Sequence, residues 1–302
     1  MSILSYLNEN YPIRRTEAEK EAFRAYVTAG YGARVEETSD GKNKNLVIGD
    51  PARARTVCVA HYDTPARALF PNLMLPRNPM LFYAYQFLIV GVLLAVSLAV
   101  GLVAQRLTQR TEAYAIGFLL TYYLGFYLMF LAFSNKHNAN DNTSGVATVL
   151  TLAEECKDAD VAFILFDREE AGKKGSKAYF KDHRAEMENR TVLNFDCVGN
   201  GEHVLFIVPK ALEGGEAMES LRRAMRAEGG YTPYFFPAKG SPCNSDQKSF
   251  PLGVACVACR RTRRGIFYTP AIHTEKDTVA KDANVRYLAD GVGSWLRGQS
   301  KG

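Results

Sequence analysis

Two long segments without a charged residue constrain the fold of this chain most. Residues 81–104 and 113–133 contain no Asp, Glu, Lys or Arg. Each has about the 20 residues that a helix needs to cross a hydrocarbon core. Apolar side chains occupy every face of both segments, unlike those of an amphipathic surface helix. The sequence therefore predicts a transmembrane helical hairpin over residues 77–133, with a pair of buried core helices as the alternative.

The hairpin divides the rest of the chain into two parts that must meet. Two crossings leave residues 1–76 and 134–302 on the same side of the membrane, so we expect them to form one discontinuous domain. The N-terminal sequence lacks the basic start, apolar run and cleavage site of a signal peptide. The six cysteines follow no disulfide-like spacing, which suits a reducing compartment. We expect an integral protein of the cell membrane with this discontinuous domain in the cytoplasm.

The charge of the chain argues against nucleic acid as a partner. The net charge is +5 and the isoelectric point is about 8.8. A nucleic-acid-binding protein usually carries a denser basic stripe. Nucleic acid is therefore not an expected partner, whereas the two apolar segments make a lipid bilayer one. The sequence does not indicate an oligomeric state.

Strand-like and helix-like patterns alternate outside the hairpin. This alternation predicts an α/β fold with a mostly parallel or mixed central sheet covered by helices. The predicted strands cover residues 33–37, 45–48, 55–60, 161–166, 191–195, 204–208 and 254–259, and the predicted helices cover residues 12–29, 144–156, 174–189, 216–228 and 282–296.

Five segments, far apart in the chain, each carry one side chain suited to binding a metal ion. These side chains are His61, Asp141, Glu170, Asp196 and His273. Three of them follow apolar strand-like runs, and the carboxyl ends of strands in an open α/β sheet form its usual ligand-binding edge. Two imidazoles and three carboxylates are sufficient for two zinc ions that share one bridging carboxylate. Asp141 suits the bridging role.

The segments HYDT, DNTSG, DREEAG and HTEKDT, in this order, resemble those of the M28 family of zinc metallopeptidases. The resemblance covers about residues 44–297 without the hairpin. It implies that His61 and Asp196 complete one zinc site with Asp141, and that Glu170 and His273 complete the other. It also implies that Glu169 is the general base. Zinc would lower the pKa of a bound water to about 7.

Two aspartates are expected to support the histidine ligands. Asp63 lies two residues after His61, on the same side of an extended segment, and is predicted to accept the other ring N–H and to contribute to catalysis. Asp277 is expected to support His273 in the same way.

A second loop, SPCNSDQKSF, resembles a family loop near the substrate pocket. The predicted substrate-binding residues are Ser245, Asp246, Phe250 and Tyr268. Gln247 stands where the family often has a histidine, and Lys173 and Lys174 replace a frequent apolar stretch. Specificity is therefore not carried over from the family.

The resemblance implies a membrane-anchored zinc exopeptidase with a peptide as its substrate and with residues 1–76 and 134–302 as its catalytic domain. The family makes an aminopeptidase the expected type. Two alternatives stay open: an amide hydrolase or glutaminyl-cyclase-like enzyme on the same scaffold, and a non-catalytic membrane scaffold. Cyclase-like members bind one zinc ion, whereas the ligand set here favours two. Loss of a ligand or of Glu169 would favour the scaffold, and neither is lost.

Overall fold

A mixed sheet of nine strands forms the centre of the computed structural model, which describes residues 1–70, 72–157 and 159–299. The strands are β1 (Arg34–Glu37), β2 (Lys44–Ile48), β3 (Thr56–His61), β4 (Val161–Phe166), β5 (Thr191–Phe195), β6 (His203–Val208), β7 (Thr232–Pro237), β8 (Gly253–Arg261) and β9 (Phe267–Tyr268). Their order is β1-β2-β4-β3-β5-β8-β6-β7, and β9 pairs with β8. The predicted α/β class is confirmed.

Helices cover both faces of this sheet. The helices that cover the sheet are α1 (Ile3–Asn10), α2 (Glu17–Tyr31), α5 (Gly145–Glu155), α6 (Lys174–Asp182), α7 (Arg184–Met187), α8 (Glu216–Ala224) and α9 (Asp282–Gln299). Helices α3 (Pro79–Thr108) and α4 (Thr111–Phe130) form a separate pair. Buried residues of α1, α2, α5, α8 and α9 form the core on one face. Tyr179 of α6 and Met187 of α7 pack into the core on the other face.

The parallel strands at the centre of the sheet end together. Strand β3 pairs in parallel with β4 and β5, and β5 pairs in parallel with β8. In the register, His61 lies opposite Phe166, so β3 and β4 finish side by side. This edge carries the segments predicted to bind metal.

Some predicted boundaries differ from the structure for local reasons. Helix α2 begins after Thr16 rather than at Pro12, because Thr16 and Glu19 form a capping box. The predicted helix 174–189 is interrupted at His183. Strand β7 was not predicted, since prolines lie near both of its ends.

Helices α3 and α4 pack closely as an antiparallel hairpin. Gly117 approaches Gly101 so closely that a Cβ atom at Gly117 would lie 3.3 Å from the Cα atom of Gly101. A Cβ atom at Gly101 would lie 2.9 Å from the carbonyl oxygen of Tyr114. Small residues at a contact let two apolar helices approach, as is common in membrane proteins.

The hairpin is exposed over most of its surface. Both helices are long and apolar enough to cross a membrane, and only 22% and 6% of their most apolar stretches are buried. These exposures contradict the alternative of two core helices. At the base of the hairpin, Ala66 forms a β-bridge with Ser134, and Arg67 donates its backbone N–H to Phe133 at 2.8 Å. The two parts of the chain therefore meet where the insertion begins and ends.

Candidate metal centre

The five predicted ligand side chains converge at the carboxyl edge of the central strands. His61 is the last residue of β3, and Asp196 directly follows β5. Glu170 lies in the loop after β4. Asp141 lies in an irregular turn before α5, and His273 lies in the loop after β9. The sheet topology thus brings together side chains that are separated by up to 212 positions in sequence.

Asp141 lies between the two histidines and presents one oxygen to each. Its Oδ1 is 3.4 Å from Nε2 of His61, and its Oδ2 is 3.0 Å from Nε2 of His273. Oδ1 of Asp196 is 3.7 Å from Nε2 of His61, and Oε1 of Glu170 is 3.5 Å from Nε2 of His273. Two compact sets of possible metal ligands therefore share Asp141.

The electrostatics of the centre favour a bound cation. Burial would lower the pKa of His273, but Glu170 and Asp141 raise it to about 10. Burial would likewise lower the pKa of His61, but Asp141 and Asp196 raise it well above its usual range. For Asp141, burial would raise the pKa, but hydrogen bonds with both histidines lower it. The carboxylates thus stabilise positive charge at the two imidazoles. A bound metal ion would supply this positive charge in place of the ring protons.

Asp63 supports the centre differently from the prediction. Nδ1 of His61 lies 3.0 Å from the backbone carbonyl oxygen of Asp63, whereas the Asp63 carboxylate is 3.7 Å away. That carboxylate instead accepts the backbone N–H groups of Glu169 at 2.9 Å and Glu170 at 3.1 Å. The extended segment turns its carbonyl, rather than its side chain, to the ring. Asp63 therefore positions the glutamate pair.

Asp277 plays a matching part on the other side of the centre. Its carboxylate accepts the backbone N–H groups of Asn140 at 3.0 Å and Asp141 at 2.9 Å. The prediction that Asp277 supports His273 is corrected by these contacts, which fix the bridging segment. Burial raises the pKa of Asp277 to about 7.

Three further polar residues join the turn of Asp141 to the loop of Asp196. The Asn140 and Asn142 side chains accept the backbone N–H groups of Gly199 at 2.7 Å and Cys197 at 3.2 Å. Ser144 accepts that of Val198 at 3.1 Å. The sequence analysis missed these roles. Their signal is the density of Asn and Ser in NANDNTSG, which exceeds what a helix cap needs.

Backbone conformations near the ligands are unusual. His273 itself, Arg168 before the glutamate pair and Cys197 after Asp196 have φ values of 59°, 55° and 56°. Non-glycine residues seldom adopt this left-handed region, and such conformations cluster at functional sites. The strain is local to the segments that aim the ligands.

Glu169 lies beside the ligands rather than among the two sets that share Asp141. It lines the cavity at the centre and approaches His61 and Glu170. Burial raises its pKa well above the usual range, against the opposing charge of His61. Burial also raises the pKa of Glu170, to about 8. Glu169 is therefore a buried carboxylate that lines the cavity next to the candidate ligands.

A cavity of about 170 Å³ opens at the centre, and only some of the predicted substrate-binding residues line it. Ser245 lines the cavity. Phe250 does not, because its ring packs in the core against Phe166 and Phe180. Tyr268 of β9 pairs with Arg260 of β8, and the next residue, Thr269, lines the cavity instead. The predicted substrate contacts of Phe250 and Tyr268 are corrected accordingly.

Asp246 is fully buried beneath the cavity rather than exposed to a substrate. Neither of its carboxylate oxygens accepts a hydrogen bond among the described residues. Asn194 holds the adjacent residues, donating to Ser245 at 3.2 Å and to Gln247 at 2.9 Å. Burial raises the pKa of Asp246 to about 7.

The residues present fit zinc. Imidazole nitrogens and carboxylate oxygens are common zinc ligands, and both types occur in each set. Oδ1 of Asp196 is buried and accepts no hydrogen bond within the described part of the chain. A buried polar atom normally has a partner, and a metal ion would be a suitable one for this oxygen.

A family comparison agrees with this arrangement. The model of peptidase family M28 matches residues 129–290, more than half of the chain. This chain belongs to peptidase family M28. It is therefore a hydrolase of the metallopeptidase type. The match contains Asp141, Glu169, Glu170, Asp196 and His273.

Solved structures share the fold of this M28 protein at low sequence identity. A Porphyromonas gingivalis glutaminyl cyclase is 14% identical with a TM-score of 0.59, over 99% of this chain and 97% of that chain. The Legionella pneumophila LapA aminopeptidase is 13% identical with a TM-score of 0.56, over 99% and 70%. A leucine aminopeptidase precursor from Bacteroides thetaiotaomicron is 14% identical with a TM-score of 0.55, over 98% and 95%. No curated protein matches the chain in sequence.

Proposed function

We propose that this M28 protein is a membrane-anchored di-zinc exopeptidase of the aminopeptidase type. The observation that carries the proposal is the division of the Asp141 carboxylate between two histidines, at 3.4 Å from His61 and 3.0 Å from His273. A carboxylate in this position suits two ions better than one. His61 and Asp196 would hold one ion, and Glu170 and His273 the other.

Zinc at these ligands would supply Lewis acidity, which polarises a scissile carbonyl and makes water more acidic. The chain supplies proton transfer and position. Glu169 would accept a proton from the attacking water and deliver it to the leaving amine. Asp63 would hold the backbone of Glu169 and Glu170, so that one side chain serves the metal and the other the proton.

The exposed apolar hairpin supports the membrane anchor. Helices α3 and α4 present large aliphatic and aromatic side chains to the outside along most of their length. Such a surface is costly in water and favourable in hydrocarbon. The metal centre would then lie close to the membrane surface, because Ala66 and Ser134 join the base of the hairpin to the catalytic domain.

Metal analysis tests the ligand assignment. Full-length protein purified in detergent should hold close to two zinc ions per chain, and the Asp141→Ala variant should lose most of both. One ion per chain in the unaltered protein would contradict the di-zinc centre and favour the cyclase-like alternative. No bound zinc at neutral pH, even after zinc is added, would favour the non-catalytic scaffold.

Product analysis tests the reaction. The Glu169→Gln variant should keep its zinc while kcat falls by about 10²- to 10⁴-fold on a short peptide. The control is Glu275→Gln, which removes an exposed carboxylate near His273. Mass spectrometry should find release of the N-terminal amino acid. Loss of ammonia from an N-terminal glutaminyl peptide, without release of an amino acid, would instead identify a cyclase.

A further inference from the structure

A second cavity lies between the metal centre and the side of the hairpin. We call this cavity, of about 580 Å³, the lateral groove. It shares five lining residues with the cavity at the metal centre. These are Asn72, Met74, Cys243, Asn244 and His273. Because one of them is a proposed metal ligand, the two cavities adjoin next to the place where a scissile bond would lie.

One wall of the lateral groove belongs to the hairpin. Phe82, Gln86 and Ile89 of α3 line it, at spacings of four and three residues that place them on one helix face. Phe130, the last residue of α4, completes this wall. At 1.5 Å per residue, the groove follows α3 for about 10 Å, from its first turn into the apolar segment. An occupant of this groove would therefore touch the part of the protein that enters the bilayer.

The sizes of the two spaces indicate how a substrate would be divided between them. The cavity at the metal centre, of about 170 Å³, suits the one residue that an aminopeptidase releases. The lateral groove is larger, and it lies within the roughly 300–1,000 Å³ range of ligand pockets. The chain beyond the scissile bond must leave the centre, and the lateral groove offers it an apolar path.

Polar groups in the groove favour a peptide over a simple acyl chain. The amides of Asn72, Gln86 and Asn244 lie among its apolar side chains. Lys173 donates to Oδ1 of Asn244 at 2.7 Å, which fixes that side chain. A peptide backbone needs hydrogen-bond partners when it leaves water, whereas an acyl chain has no use for them. Amides at intervals in an apolar groove therefore match a peptide with apolar side chains.

We propose that the lateral groove binds the apolar residues that follow the scissile bond, so that the preferred substrates are apolar peptides presented from the bilayer. This inference rests on the proposed peptidase function and names its substrate class. The hairpin is then part of the substrate site as well as an anchor.

Kinetics with paired substrates and paired variants test the proposal. The full-length zinc-loaded protein in lipid nanodiscs is given two substrates. Leucine p-nitroanilide has a single ring beyond its scissile bond and therefore extends least into the lateral groove, whereas a six-residue peptide begins with Leu and continues with apolar residues. A third substrate has Ser and Asn in place of the apolar residues. We expect the apolar peptide to have a kcat/KM at least tenfold above that of the polar peptide.

The variants ask whether the hairpin wall causes this preference. The double variant Phe82→Ala/Ile89→Ala should lower the ratio of kcat/KM for the apolar peptide to that for the anilide by about tenfold or more. The matched control is Phe87→Ala/Leu88→Ala, which likewise removes one phenyl ring and one branched aliphatic side chain, but from exposed positions of the same helix. The control should leave the ratio unchanged.

Each other outcome overturns a defined part of the argument. Equal use of apolar and polar peptides, or equal ratios in the two double variants, would refute the lateral groove as a substrate site while leaving the peptidase intact. Cleavage of a fatty-acyl amide but of no peptide would replace the proposed substrate class. Failure to cleave any of the substrates would refute the proposed function itself, and the inference with it.

Discussion

Two buried aspartates fix the backbone on either side of the metal centre. Asp63 accepts two consecutive N–H groups from Glu169 and Glu170, and Asp277 accepts two from Asn140 and Asp141. Both oxygens of an ionised carboxylate accept hydrogen bonds, whereas a side-chain amide has only one acceptor oxygen. A carboxylate therefore suits two neighbouring N–H donors better than an amide does. These contacts set the direction of ligand side chains that they do not themselves touch.

Replacing each aspartate by asparagine should disturb the metal centre from one side at a time. Asp63→Asn leaves an NH₂ group facing a backbone donor beside Glu169, so we expect kcat to fall about 10- to 100-fold. Asp277→Asn disturbs the bridging segment, so zinc affinity should fall by a similar factor. Elemental analysis and steady-state kinetics measure both effects.

The control for this pair lies on the surface. Asp182 also accepts two hydrogen bonds, both from Ser39, but is exposed and far from the ligands. Asp182→Asn should change neither zinc content nor kcat. If Asp63→Asn and Asp182→Asn behaved alike, the positioning role of Asp63 would be refuted.

The positions of the ligands were predictable because they depend on strand ends. Each of His61 and Asp196 ends or follows an apolar run, and parallel strands bring such ends together. The acceptor role of Asp63 was not predictable in detail, since a sequence does not say whether a carbonyl or a carboxylate faces a ring. Phe250 was misplaced for a similar reason, because an aromatic residue in a loop suits a pocket and a core equally.

The hairpin is held by close contacts between its two helices. Gly101 meets the backbone and ring of Tyr114, and Gly125 meets the side chain of Leu93. Ser97 is fully buried at the contact, and its hydroxyl group donates within α3 to the carbonyl of Leu93 at 2.8 Å. In hydrocarbon, close packing of this kind replaces the hydrophobic effect as the cause of helix association.

Adding a side chain at this contact should loosen the hairpin. Gly101→Val would place its Cβ atom 2.9 Å from Tyr114, and overpacking of this kind costs about 1–3 kcal/mol. Gly91→Val on the same helix is the matched control, because no atom lies within 4 Å of its Cβ position. Thermal unfolding in detergent should show a lower Tm for Gly101→Val alone; equal Tm values would contradict the observed packing.

At this scale the long regular elements were the most predictable. The predicted segments 81–104 and 113–133 lie within or largely within α3 and α4, because a run of that length and composition has few other conformations in a membrane protein. Strand β7 depends instead on its partner. Its residues form a strand because they pair in parallel with β6, and the local sequence pattern does not predict this pairing.

If the hairpin crosses a membrane, as we propose, both parts of the catalytic domain must lie on the same side of that membrane. His61 precedes the hairpin and Asp141 follows it, yet their side chains lie 3.4 Å apart. An even number of crossings satisfies this contact, and a single crossing would not. The direction of the hairpin is a separate question, since Arg77 and Lys136 at its base balance Arg106 and Arg110 near its tip.

A reporter in the tip of the hairpin should decide the direction. We expect a reporter inserted between Thr108 and Thr111 to lie outside the cytoplasm, because the catalytic domain is proposed to be cytoplasmic. The control is the same reporter fused after the C-terminus, which should give a cytoplasmic signal. The reverse pair of signals would invert the orientation, and two cytoplasmic signals would refute the crossing.

The place of the hairpin in the sequence imposes an order on biosynthesis. Strand β3 leaves the ribosome before α3 and α4, but its neighbours β4 and β5 leave after them. Strand β3, which ends at His61, therefore has no partner strand while both helices are being synthesised. The remaining four ligand residues arrive only afterwards. A nascent chain thus cannot assemble the proposed metal centre before both helices of the hairpin have been synthesised.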